Sequence, residues 1–585
     1  MSSITVLKFG SSVLRSRADT PLAIHHIYAH WRAGQHVLAI VSAFAGETDR
    51  LLAEGRDRGL REHVLAEHVA SGERESALAL KQALLASGIP AETAEPAELG
   101  LRAEGEALEA TPLDLDVAAV HAGLVSVPIL VVPGFSAADH AHRTVLLGRG
   151  GSDLSALFIA QRLGARCELV KDVDGVYDHD PADHSTPAHR YERLSWRKAL
   201  EVGGELVQPR AIRFAEAHRY EFEVVTSGAT WGTHIGAGPD ELAYEGAAAA
   251  PLQVVLLGLG TVGGGVYRHL LRYPHAFEVR RIAVRDASKP RRIDDVDVPA
   301  RLLTSSLDEA LAESADVVIE ALGGVVPAAD AIAAAIAAGR SVVSANKAAI
   351  ATRWSALNPF VEGERPSLRF SAAVGGAVPV LETVTRLRGN VRKVRAVING
   401  TCNFILEALE QGCTFADAVA KAQAAGYAEA DPSHDLTGFD AACKLQLVAH
   451  AAFGVDARVA VDVSGIDEIT PERVRDAIRE GKRLRLVAEC EVVAGRESHI
   501  AGRVRVEELL ADDYLAGARG AENRIEIVTH ATTLRLSGQG AGRWPTSAAL
   551  LGDLLELARA RRNTRKSVRS PGSAQPNVSL PFMRA

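Results

Sequence analysis

The sequence predicts an α/β protein of several domains, on three observations. Both halves alternate short apolar runs with helix-like stretches. At 585 residues the chain exceeds what one hydrophobic core organises, so roughly two to four domains are expected. Residues 237–251, "AGPDELAYEGAAAAP", are small, contain two prolines and show no apolar periodicity, which marks a linker between the halves.

Composition narrows the class. Hydrophobic residues make up 47% and charged residues 24%, with a net charge of −8, so neither nucleic acid nor an anionic membrane is an expected partner. The one basic run, Arg559 to Lys566, precedes a Ser/Pro-rich stretch and reads as a helix end leading into a solvated, disordered tail over 567–585. Cys167, Cys402, Cys413, Cys443 and Cys490 have neither metal-site spacing nor a disulfide framework, which suits a reducing compartment. With no signal-peptide pattern and no membrane-length apolar run, a cytoplasmic location is expected.

The second half carries the stronger motif. In "VVLLGLGTVGGGV" an apolar strand runs into Gly258, Gly260 and Gly263, with Thr261 and Val262 opening a helix. The first glycine permits a tight turn, the second lets backbone approach a pyrophosphate, and the third lets helix and strand pack closely. Alone this pattern is weak evidence; between strand and helix, just after a linker, it points to a dinucleotide. The next strand, "FEVRRIAVRD", brings Arg285 where an acidic residue would bind a 2′-hydroxyl, so a 2′-phosphate and hence NADP(H) is favoured, with NAD(H) also admitted. Lys289 could assist or be a plain loop lysine. Further on, "GYAEADPSHDLTGFDAACKL" crowds Glu429, Asp431, Asp435, Asp440 and Lys444 together. Asp440 and Lys444, four apart, would share one helix face; such spacing is commonly a surface ion pair. The neighbouring "INGTCN" and "VGGAV" turns read instead as loops lining a cleft.

These motifs, with "EALGG", "VVSANKA" and "GQGAGRWPTSA", resemble homoserine dehydrogenase from about Leu252 to Ala558. The resemblance implies reduction of L-aspartate 4-semialdehyde to L-homoserine with NAD(P)H. It also implies catalytic roles for Lys444 and Lys347, and substrate contacts from Glu429, Asp435 and Asp440. Ser344 and Lys347 would lie by the coenzyme, and Gly540 and Gly542 would form a glycine loop returning to the nicotinamide. Backbone carbonyls around Val374 and Gly376 would admit a sodium ion, although Ser371 stands where the family carries glutamate. The implied architecture is a Rossmann NAD(P)-binding domain at 252–385, rejoined by 536–566, and an α+β catalytic and dimerisation domain at 386–535. The assembly implied is a homo-oligomer, dimer or tetramer.

In the first half "VLKFGSSVL", "VVSAFAGETDRLL", "LRAEGEALEA", "GRGGSD" and "LVKDVDGVYDHDP" together resemble the catalytic domain of aspartate kinase from Ile4 to about Gly236. That makes residues 1–236 an amino-acid-kinase-type α/β domain. Successive glycine amides in "GRGGSD" can nest an anion, and Arg149 can grip a carboxylate. The resemblance implies transfer of the γ-phosphoryl group of ATP, with Mg²⁺, to the side chain of L-aspartate. Lys8 and Asp153 would be catalytic; Thr48, Glu106, Arg149 and Ser152 would hold aspartate; Gly10, Ser11, Ser12, Asp172, Tyr177 and Asp180 would face the nucleotide. The motif departs from the family's Lys-Phe-Gly-Gly-Thr-Ser-Val at Ser11, Ser12 and Val13, and Lys171 replaces a threonine. Two readings stay open: a bifunctional enzyme of aspartate-family amino-acid biosynthesis, or a dehydrogenase joined to a silent kinase-like binding or oligomerisation module. The short linker leaves no room for the βαββαβ regulatory domains that usually follow such kinases, so feedback by threonine or lysine is not expected.

Overall fold

The computed structural model describes residues 3–569, apart from 182–187, 204–205, 229–230, 244–249, 362, 364–365, 455 and 494–495. Its first unit is built on a nine-stranded sheet. At the centre Ile4–Phe9 pairs in parallel with His36–Val41 on one side and Arg166–Lys171 on the other. Alternate residues of these strands feed opposite faces. Val6, Leu38 and Ile40 enter one apolar cluster, and Leu7, Phe9, Val37, Ala39 and Val41 enter another. A parallel strand buried on both faces is continuously apolar for this reason. A four-stranded side sheet carries Arg102–Glu106 and Glu109–Asp114.

The second unit is a six-stranded parallel sheet in the order Leu303–Thr304, Phe277–Ala283, Leu252–Leu257, Val317–Glu320, Ser341–Ser344, Leu368–Arg369. Numbered along the chain this is 3-2-1-4-5-6, the order whose reversal between the first and fourth strands opens a crevice at their carboxyl ends. The third unit is a six-stranded mixed sheet, centred on Val391–Val397, Lys482–Val493 and Arg496–Leu510. The helices Gly400–Glu410 and Phe439–Phe453 contribute to its apolar core.

Two particulars differ from the sequence reading. Within the expected linker, Glu241–Leu242 forms an edge strand against Tyr191–Ser195. The basic run lies in the last turns of the helix Arg543–Arg569, as expected, but that helix continues through 567–569, the first residues of the expected tail; the rest of the tail, from 570 onward, lies outside the described residues. Within that run Arg559 is half-buried, and its charge acts on Glu168 of the first unit. Glu168 in turn accepts from His26 and His30, with Nε2···Oε2 distances of 2.9 and 3.3 Å. No helix among the described residues is long and apolar enough to cross a membrane.

Candidate active sites

The glycine loop has the geometry its spacing predicts. Gly258 sits at φ +96, and a Cβ there would lie 2.5 Å from the Ala321 carbonyl. A Cβ on Gly263 would run into the Gly258 carbonyl, whereas one on Gly260 would meet nothing within 4 Å. The turn is therefore closed where helix packs on strand and open where a ligand must approach. Thr261 and Val262 begin the helix Thr261–Leu270, whose first amides face that opening and suit a pyrophosphate. Arg285, just past Phe277–Ala283, is exposed. Asp286 is occupied by its own loop, taking the Ser288 amide at 3.0 Å and Lys289 Nζ at 3.3 Å. Lys289 is thus tied to Asp286, while Arg285 projects beside it.

Glu320, for which the sequence offered no role, ends the strand Val317–Glu320 fully buried. It accepts from Ser344 Oγ at 2.5 Å and from the Leu322 amide at 2.8 Å. Burial raises its pKa despite these bonds. Ser344 is thereby fixed beneath the loop, and Asn346 caps the helix that Lys347 opens. A carboxylate closing a wholly apolar strand was the available signal.

The acidic segment folds into a compact charge cluster. Asp440 takes Lys444 Nζ at 2.7 Å on Oδ2 and Lys347 Nζ at 2.8 Å on Oδ1. Lys444 also donates to the Ile398 carbonyl at 2.8 Å. Burial alone would raise the Asp440 pKa, but the two ammonium groups hold it far below the usual carboxylate range. Burial likewise works against charge on Lys347, and Asp440 outweighs it, so that pKa is raised. Asn399, also without a role at the sequence level, joins the pieces. Its Nδ2 lies 2.8 Å from Asp435 Oδ1 and 2.9 Å from Asp440 Oδ2, while its Oδ1 caps the helix Gly400–Glu410. An Asn before a helix start reads as a cap; its second duty needs the fold. Glu429 is exposed in the turn before this cluster, and Asp435 is half-buried.

The returning glycine loop lies against the segment Val374–Ala377. A Cβ on Gly376, at φ +60, would come 2.7 Å from the Gln539 carbonyl, and one on Gly540 would overlap Asn523. Gly542 sits at φ +124 at the start of the last helix. Ser371 has a partner of its own: its amide and hydroxyl donate to Asp553 at 3.1 and 2.8 Å.

In the first half, Lys8 Nζ lies 2.6 Å and Lys171 Nζ 3.1 Å from the two oxygens of Asp153, all three buried. Burial pushes the Asp153 carboxyl up and the lysines, Lys171 before Lys8, pull it down to about 2. Lys171, the departure from the threonine of the resembled family, thus joins the charge cluster. Gly10 is the turn glycine: its carbonyl takes the amides of Val13 and Leu14 at 3.0 and 2.9 Å. Val13 packs in the core, and Ser11 and Ser12 face outward, exposed and half-buried. Gly148 and Gly150, at φ +71 and +76, flank exposed Arg149, and Ser152 Oγ meets Ser42 Oγ at 2.8 Å. Thr48 is half-buried in the first turn of Glu47–Asp57, whereas Glu106 is exposed on the side sheet. Asp172 and Asp180 are exposed. Tyr177 Oη and Trp231 Nε1 both donate to Asp174, at 2.6 and 2.5 Å, which makes Asp174 the organiser of that loop.

Glu73 is buried beside this cluster and accepts the Ala43 amide at 3.3 Å. Burial lifts its pKa to about 7 against the opposing pull of that amide and of Lys8. A carboxyl raised on folding costs nothing below its unfolded value, and its cost is complete above the folded one. Glu73→Gln is therefore expected to stabilise the protein by about 3 kcal/mol at pH 9 and hardly at all at pH 4. Urea unfolding at the two pH values measures this; parallel pH dependence in variant and wild type would refute the assignment.

Comparison with known proteins follows the same division. Residues 3–225 match the amino acid kinase family, 258–362 the NAD-binding domain of homoserine dehydrogenase, and 379–555 homoserine dehydrogenase itself. A homoserine dehydrogenase of Mycobacterium tuberculosis is 38% identical over 324 residues, 53% of this chain and 73% of that protein. One from Corynebacterium glutamicum is 38% identical over 339 residues, 55% and 74% of the two chains. A homoserine dehydrogenase crystal structure from Thiobacillus denitrificans aligns at 31% identity with a TM-score of 0.47, covering 55% of this chain and 76% of that one. Its dehydrogenase portion, with an amino-acid-kinase-family domain joined ahead of it, makes this chain a member of the homoserine dehydrogenase family.

Proposed function

We propose that the second half interconverts L-aspartate 4-semialdehyde and L-homoserine, with NADP(H) preferred. The carrying observation is the Lys347–Asp440–Lys444 cluster. A nicotinamide coenzyme bound on the glycine loop supplies the hydride that reduces the aldehyde carbon. The resulting alkoxide needs a cation and then a proton. An ammonium has three N–H donors; Lys444 spends two, on Asp440 and Ile398, and keeps one for the substrate oxygen. Asp435 has one oxygen on Asn399 and the other available for the substrate ammonium, with Glu429 at the mouth. Asp440 spends both its oxygens on lysines and Asn399, so it orients the donor rather than gripping substrate. The rim supports the coenzyme preference, because Arg285 is exposed and a 2′-phosphate would give it a partner. Arg285→Ala should raise the KM for NADPH at least tenfold more than that for NADH, as loss of a charge-assisted contact would. Equal changes for both coenzymes would make Arg285 a structural residue. Turnover of homoserine with NADP⁺ by the purified full chain tests the reaction itself.

For the first half we infer aspartate phosphorylation, supported by the Lys8–Asp153–Lys171 cluster beside the nest at Gly148–Gly151. The accepting carboxylate is already ionised, so cations and amides, with Mg²⁺ on ATP, can carry the transfer without a general base. The second reading, a silent module, draws on Val13, a core residue where the resembled motif has a hydroxyl. ATP-dependent acyl phosphate from aspartate, trapped by hydroxylamine, decides between them. A signal lost in Lys8→Ala establishes the kinase; no signal at saturating ATP and Mg²⁺ leaves the module.

A further inference from the structure

We propose that the kinase-like half has a second function, as the support that sets the dehydrogenase's returning glycine loop, with Gly88 as its positioning residue. The helix Glu62–Ala86 ends in a left-handed cap: Gly88, at φ +78, donates to Leu85 at 2.9 Å and Ile89 to Leu84 at 3.0 Å. This cap abuts the dehydrogenase. The Gly88 carbonyl accepts the Gln539 amide at 3.3 Å, and a Cβ on Gly538 would fall 2.7 Å from that carbonyl and 3.7 Å from Pro90. The loop's other side leans on Gly376, and Ala377 belongs to the apolar core of the first half. The loop is therefore clamped between the kinase-like half and a segment which that half also holds.

An independent anchor lies at the far end of the same contact. Arg32, 4% exposed, pairs with Glu382 at 2.9 Å, Glu556 at 3.2 Å and Asp553, and donates to Ser371 Oγ at 3.1 Å. Ser371 opens the turn Ser371–Ala373 that leads into Val374 and Gly376. His25 Nδ1 meets Tyr273 Oη at 2.9 Å nearby. A desolvated guanidinium shared by three carboxylates fixes a geometry that a solvated hinge would not.

The proposal rests on reading residues 538–542 as part of the coenzyme site. Its test uses the full chain. In Gly88→Ala the new methyl would come 2.8 Å from Gln539 Cβ and 3.1 Å from Pro545 Cγ, so the loop must shift. Gly59→Ala, at φ +63 with nothing within 4 Å, bears comparable backbone strain without touching the dehydrogenase. We expect Gly88→Ala to raise the KM for NADPH about fivefold or more, with a smaller change in the KM for homoserine, and Gly59→Ala to leave both alone. A merely structural loss would scale kcat with the folded fraction and move neither KM. Gln539→Gly removes the atom the methyl meets, so the double variant should recover much of the loss. Gly88→Asn tolerates φ > 0 and carries the same Cβ where the alanine variant does not fold. Unchanged KM values in Gly88→Ala, or in Gly88→Asn, would overturn the proposal. Gly542→Ala separates the two failures: if it alone shifts the KM for NADPH, the loop reading stands and the support role falls. If neither shifts it, both fall.

Discussion

Lys444→Ala should lower the dehydrogenase kcat by a hundredfold or more while the KM for NADPH hardly moves. General acids in such positions contribute on the order of 10²–10⁴ in rate. The coenzyme loop is built from Gly258–Gly263 and Glu320, none of which touches Lys444, so binding there should survive. The Lys444 ammonium is held by a carboxylate and a carbonyl, at 2.7 and 2.8 Å, and alanine removes both bonds and the remaining donor. Lys347 reaches the same aspartate from the other side but is more exposed. If Lys347 were the donor, its alanine variant would show the larger loss and Lys444→Ala a modest one. A fall of less than tenfold in a folded Lys444→Ala variant would remove Lys444 from the mechanism.

Local pattern made the glycine loop and the Asp440–Lys444 pair legible, because each depends on spacing within one short element. Gly258 and Gly263 are constrained by a turn of a few residues, and i,i+4 spacing puts Asp440 beside Lys444 on any helix. Asn399, Glu320, Glu73 and Asp174 were not legible in their roles. Each acts on a partner from another element: Asn399 on residues 36 and 41 positions away, and Glu73 on an amide 30 positions away. Short-range pattern carries no record of such pairings. The α/β architecture was readable from alternation, and strand order came only with the fold. The junction between the halves was invisible for the same reason. Arg32 reads as an ordinary helix-end arginine until Asp553, 521 positions later, is brought onto it. Ser371 could be read as a departure, and only the fold shows its hydroxyl bonded at that junction.

Asp440→Asn should be nearly as damaging to kcat as Lys444→Ala, and far more damaging to stability. The amide keeps the shape but removes the one charge that two ammonium groups share. Breaking one side of a buried ion pair costs about 3–5 kcal/mol, because the surviving charge stays desolvated. The pH dependence has a definite sign. A carboxyl held below its unfolded value contributes stability that is complete above that value and disappears as pH falls through the folded one. The deficit of Asp440→Asn should therefore be full at pH 6–8 and shrink only in strong acid, as denaturant unfolding can follow. Kinetics separates the two roles open to Asp440. If it works by orienting Lys444, Asp440→Asn and Lys444→Ala disable one unit, and the double variant should be little worse than either single one. If Asp440 held substrate on its own account, the losses would multiply, with a rise in the KM for homoserine that Lys444→Ala lacks. Geometry favours the first outcome: Oδ1 is taken by Lys347, and Oδ2 by Lys444 and Asn399.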